Sequence, residues 1–140
     1  MQSVSVSDLQ GEALDWAVAK AEGLVIRRDP MGFGSGSESG YWIWEESGRG
    51  LKRYGLIGRE YSPSTKWSEG GPIIDALREC GQHQFSLQTD AGGVCVLSRS
   101  TESISFRGCG ETVLIAAMRC YVAVKLGESL AVPAFLSVSD

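Results

Sequence analysis

Helical patterning at both ends, with strand-length runs between, is the strongest constraint on how this chain folds. Near the start, Ser7-Asp8-Leu9-Gln10 has the form of a capping box, in which Ser7 and Gln10 satisfy a helix start reciprocally. Ala13, Leu14, Ala17, Val18 and Ala21 then recur on one helical face and leave Asp15, Lys20 and Glu22 outside it. Gly23 suits a left-handed stop. Near the end, Thr112 can cap a helix over 113–126 whose face is Leu114, Ala117, Met118, Tyr121 and Val122, with Gly127 just beyond.

The middle is punctuated differently. Residues 24–27 read as a short strand, and 29–40 as a glycine-serine loop. Residues 41–45 alternate with aromatics on both faces, so at least one ring of Tyr41, Trp42 and Trp44 is expected to be partly exposed. A turn at 47–50 leads into a second extended run, 51–57. Pro72 fits the first position of a short helix, where its missing N–H is harmless; Ile73, Ile74 and Leu77 give it an apolar side and Gly81 a stop. Runs 83–88, 94–98 and 102–106 follow, separated by tight turns, which is the spacing of an antiparallel meander rather than of strand-helix-strand units. Residues 132–136 form a tail expected to dock an apolar side chain. The sum is one α+β domain over residues 1–140, an antiparallel β-sheet packed with N- and C-terminal helices as a layered α/β sandwich.

Composition narrows the function classes. With 140 residues, 43% hydrophobic and 21% charged, the chain is long enough for one core and too apolar for disorder. The net charge of −4 and the scatter of its arginines and lysines speak against duplex nucleic acid, while leaving room for a local basic pocket. No run is long and apolar enough for a membrane span, and the first residues lack a signal peptide's pattern; a cytoplasmic protein without membrane contact is the expectation. Cys80, Cys95, Cys109 and Cys120 show no metal-ligand spacing and are expected to be reduced, buried apolar residues.

One connection stands out chemically. Residues 59–75, Arg-Glu-Tyr-Ser-Pro-Ser-Thr-Lys-Trp-Ser-Glu-Gly-Gly-Pro-Ile-Ile-Asp, concentrate hydroxyls, rings, prolines and a Gly-Gly pair. Ser62, Ser64 and Thr65 can donate hydrogen bonds, Arg59 and Lys66 bring charge, Tyr61 and Trp67 can stack on a planar ring, and Gly70 and Gly71 can present backbone N–H groups at a helix start. Those nine residues make a candidate site for a small anionic or nucleotide-like ligand. The competing reading is that the hydroxyls satisfy the loop's own backbone and Trp67 plugs the core. The run Gly32-Phe-Gly-Ser-Gly lacks the Lys-Ser/Thr ending and following helix of a phosphate loop. His83 has no acid beside it and no nucleophile elbow exists, so no catalytic residue, metal or cofactor is expected.

Three blocks carry a family resemblance: Glu-Ala-Leu-Asp-Trp-Ala-Val-Ala-Lys-Ala-Glu-Gly (12–23), Tyr-Ser-Pro-Ser-Thr-Lys-Trp-Ser-Glu-Gly-Gly-Pro-Ile-Ile (61–74) and Leu-Ile-Ala-Ala-Met-Arg-Cys-Tyr-Val-Ala-Val-Lys-Leu-Gly (114–127). In content, order and spacing the chain resembles the NinX-like family of tailed phages and prophages. It departs from that pattern in the insertion at 32–40 and at Glu111-Thr112-Val113, where members often carry Thr-Pro. The resemblance implies a phage early-region accessory protein of layered α/β fold and transfers no catalytic residues. The expected function is non-enzymatic binding in host takeover or counter-defence, by sequestering a small nucleotide-type signalling molecule. The alternative is a protein-interaction module that inhibits or redirects a host protein, with the aromatic strand at 41–44 as its contact. A homo-oligomer suits either.

Overall fold

The computed structural model describes residues 2–29, 40–47, 50–57, 61–79, 83–90, 93–100 and 105–132. Among these, eight strands and three α-helices form the expected α+β fold, the strands divided over three small antiparallel sheets: β1 (Gln2–Ser5) with β8 (Ser129–Val132); β2 (Val25–Asp29), β3 (Gly40–Ser47) and β4 (Gly50–Leu56); and β5 (His83–Asp90), β6 (Gly93–Ser100) and β7 (Ser105–Gly110). The helices α1 (Gly11–Ala21), α2 (Trp67–Glu79) and α3 (Val113–Leu126) flank the sheets.

The core is organised around α3. Arg119 and Lys125 are its only charged residues, and it is buried on more than the single face its spacing predicts: Ala116, Cys120 and Ala123 join Leu114, Ala117, Met118, Tyr121 and Val122 inside. A helix apolar nearly all round must be covered on several sides, and α3 is packed by α1, α2, β6 and β7. Thr112 caps it as expected, Oγ1 accepting from Ile115 N–H at 3.1 Å, and Gly127 ends it at φ 95°. One glycine makes the helix-on-strand packing possible. A Cβ on Gly108 of β7 would overlap the Ala116 carbonyl oxygen and the Cys120 amide nitrogen, so only a residue without a side chain lets the two backbones come so close.

The start of α1 differs from the expectation. Gln2–Ser5 pairs with Ser129–Val132, and Val6–Asp8 forms a 3-10 turn whose Val6 N–H reaches the Glu128 carbonyl at 2.8 Å. Ser7 is thereby drawn into that turn, its hydroxyl 2.9 Å from that of Ser5, and the helix begins only after Gln10. The capping box is not formed. A second shift concerns α2, which starts at Trp67 and carries Pro72 inside it rather than at its first position. The predicted stop at Gly81 and the glycine-serine loop at 30–39 lie outside the described residues, as does the tail beyond Val132.

The meander at β5–β7 is present, with its third strand running to Gly110, four residues past the predicted end. Its register overturns the expectation for two of the cysteines. Cys95 and Cys109 face one another on the paired strands β6 and β7, with Cα atoms 4.1 Å apart, and are joined as a disulfide. Cys120 is free and fully buried, as anticipated, and burial pushes its thiol up to about 12.

Candidate functional site

The loop between β4 and α2 is built on a residue that helical periodicity places on the wrong side. Asp15 lies in the middle of α1 within seven consecutive buried residues, Ala13 to Ala19, and is 1% exposed. Burying a carboxylate is costly unless it is hydrogen-bonded. Here Oδ1 accepts from the Ser64 N–H at 2.9 Å and Oδ2 accepts from the Ser62 hydroxyl at 3.0 Å, so a side chain of α1 grips a loop nearly fifty residues further along the chain. Burial still dominates: it raises the Asp15 pKa from the ordinary 3.8 to about 6, against the lowering effect of the hydrogen bonds from Ser64 and Ser62 and with a small push from Glu69.

The loop is closed on itself as well. The Ser62 carbonyl accepts from the N–H groups of Thr65 (3.1 Å) and Lys66 (2.9 Å), and the Ser62 and Thr65 hydroxyls stand 2.6 Å apart. Glu69, in the first turn of α2, sends its carboxylate back to the Ser62 N–H at 2.5 Å. That carboxylate sits where the positive end of a helix favours negative charge. Because α2 begins at Trp67, Gly70 lies within its first turn and its N–H goes to the Lys66 carbonyl at 2.9 Å. The open N–H groups expected at Gly70 and Gly71 are therefore inside the helix. Gly70 has a packing reason instead: a Cβ there would overlap the Pro63 carbonyl and the Leu114 side chain.

These contacts divide the candidate residues into two sets. Tyr61, Ser62, Ser64 and Gly70 are buried, with Pro63 between them. The Tyr61 hydroxyl has no hydrogen-bond partner among the described residues, and desolvation first, then Glu22, Asp15 and Glu69, drive its pKa upward. Thr65, Lys66 and Trp67 face outward, Trp67 at 58% exposure, and Gly71 is half-buried against the Trp67 ring. Arg59 lies outside the described residues. Trp67 does not plug the core; that role falls to Trp16 of α1, 5% exposed, with the Lys20 ammonium 5.1 Å from its ring centroid. In the aromatic strand, Trp42 is half-buried, and the rings of Tyr41 and Trp44 lie outside the described side chains.

Asp15 is the residue that sequence reasoning missed. Its signal is present in retrospect: it is the single polar residue of Ala-Leu-Asp-Trp-Ala-Val-Ala (13–19), and a carboxylate in so apolar a run calls for a donor elsewhere in the chain.

The arrangement defines an α+β domain that uses a buried acid to hold a loop in one shape and to present an exposed aromatic at the loop's end. Residues 5–125 match the family described as Bacteriophage P22, NinX, and the chain belongs to that family. It is a phage accessory protein. No curated protein matches it. Among the described residues, no helix is long and apolar enough to cross a membrane.

Proposed function

We propose that this phage accessory protein is non-enzymatic and acts by docking on a host protein through the outer edge of the Tyr61 loop, with Trp67 as the anchor. The observation that carries this reading is the 58% exposure of Trp67 on a loop held from beneath by Asp15. Small-molecule sites are concave and enclose most of their ligand, whereas a rigidly presented exposed tryptophan has the form of a protein-interface anchor. Fixing the loop in advance also reduces the ordering entropy lost on association. This favours inhibition or redirection of a host protein.

A second reading keeps the counter-defence role and assigns the same edge to a nucleotide-type signalling molecule. The Trp67 ring would stack on the base and Lys66 would sit beside the phosphate, the site being enclosed by a second copy of the chain. The exposed pairing of an aromatic with a neighbouring lysine supports it.

Tagged wild-type protein and a Trp67→Ala variant, both incubated with host lysate, separate the readings. The first expects a host protein retained by the wild type and lost from the variant, with the variant's melting temperature unchanged. It is overturned if both retain the same proteins or the wild type retains none. Quenching of tryptophan fluorescence by a cyclic dinucleotide or an ADP-ribose derivative that is lost in Trp67→Ala, together with a rise in oligomer mass, establishes the second.

A further inference from the structure

On a different side of α3 from the Tyr61 loop, a cleft of about 750 Å³ opens between β6 and β7, the start of α3 and the 3-10 turn. Ser7, Gln10, Val94 and Ile115 line it together with two arginines, Arg107 and Arg119. A second, smaller hollow of about 220 Å³ shares Ser7 and both arginines. Nothing in the Tyr61 loop reaches this region.

The two guanidinium groups are positioned by neutral hydrogen-bond acceptors. Arg119 donates Nε–H to the Leu9 carbonyl at 2.9 Å and Nη1–H to the Cys109 carbonyl at 2.6 Å, which fixes its plane from both sides. Arg107 donates Nε–H to Cys109 Sγ at 3.2 Å and Nη2–H to Cys95 Sγ at 3.3 Å. Sulfur is a weak acceptor, so these contacts orient the group more than they satisfy it. Among the described residues no carboxylate pairs with either arginine. Burial disfavours the charge of Arg119, with Asp8 and Glu111 near enough to oppose that effect.

We infer that this cleft binds a small phosphate-bearing molecule of about mononucleotide size, the phosphate lying between Arg107 and Arg119. A planar guanidinium offers paired N–H donors that match the edge of a phosphate, and two of them held in advance lose little freedom on binding. The Ser7 hydroxyl and Gln10 amide add neutral donors, and Val94 and Ile115 offer an apolar wall for the rest of the molecule. The volume lies within the usual range for small-ligand sites, about 300–1,000 Å³. Glu111 on the lining, Asp8 close by and the net charge of −4 act against an extended polyanion and favour a compact ligand that reaches both arginines.

The test is amide chemical-shift mapping of the disulfide-intact protein without reductant, titrated separately with inorganic phosphate, a nucleoside monophosphate and the matching nucleoside. Shifts are expected to concentrate at Arg107, Cys109, Ile115 and Arg119, with the monophosphate binding more tightly than phosphate and the nucleoside giving no response. Arg107→Gln, at an exposed side chain, should weaken monophosphate binding by on the order of tenfold while leaving the melting temperature unchanged, with Arg107→Lys intermediate. Trp67→Ala should leave the affinity as it is, so this inference and the docking reading fail separately. Absence of shifts at millimolar phosphate or monophosphate, shifts centred elsewhere, equal binding of the nucleoside, or unchanged binding in Arg107→Gln would each overturn it.

Discussion

Replacing Asp15 by asparagine isolates the effect of its charge. The folded-state pKa is about 6 against an ordinary 3.8, so the folded protein holds its proton over a range in which the unfolded chain has released it. The stability gained from protonation is therefore complete below about pH 4 and is lost as pH rises through about 6, the reverse of the usual carboxylate pattern. Two pH units at about 1.4 kcal/mol each give an upper bound near 3 kcal/mol. Asparagine keeps an acceptor for the Ser64 N–H, and the Ser62 hydroxyl can turn toward Thr65, with which it is already in contact. Urea unfolding followed by tryptophan fluorescence from pH 4 to 7.5 measures both proteins. The difference between them cancels the other carboxylates. Asp15→Asn should gain on the wild type by up to about 3 kcal/mol across that window and then run parallel to it. Asp15→Ala, which strands the Ser64 N–H without an acceptor, should instead be destabilised at every pH, by about 2 kcal/mol. A flat difference curve, or one in which the wild type gains with rising pH, would refute the reasoning. It would mean that the bonds from Ser62 and Ser64 match or outweigh desolvation.

Two glycines should respond in opposite directions: Gly108→Ala forces a methyl group into the α3 backbone and is expected to cost about 3 kcal/mol, whereas Gly71→Ala, whose methyl meets only the Trp67 ring at 3.9 Å, should stabilise α2 by about 0.5–1 kcal/mol in thermal unfolding. Cleaving the Cys95–Cys109 disulfide, which closes a loop across 14 positions, should lower stability by about 2–3 kcal/mol. A Cys95→Ser, Cys109→Ser double variant should melt at the reduced protein's temperature and show no further response to reductant.

The elements legible in the sequence are those whose signals are local. The Thr112 cap, the α3 periodicity and the Gly127 stop all lie within sixteen residues of one another, and the meander is announced by its turns. Most of the misreadings involve a partner that only the folded arrangement supplies. Ser7 has the composition of a cap, but its segment is drawn into the β1–β8 ladder by residues more than 120 positions away. Asp15 reads as a solvent-facing position until Ser62 and Ser64 are placed against it. Cys95 and Cys109 read as separate thiols because their opposition depends on strand register. Within the Tyr61 loop, the density of hydroxyls and glycines correctly marked a shaped segment. Which of its residues point outward is set by where α2 begins, and Pro72 obscured that by resembling a first-turn proline.

The packing of α1 on α3 also orders events during synthesis. The apolar face of α1 emerges about a hundred residues before the helix that covers it, which at roughly 5–20 residues per second is an interval of about 5–20 s on the ribosome. Throughout it, α1 lacks the cover of α3, and β1 has no strand to pair with until β8 is made. The nascent chain is therefore expected to rely on factors that shield apolar segments at the exit tunnel: depleting them should lower its soluble yield, and an unchanged yield would refute this.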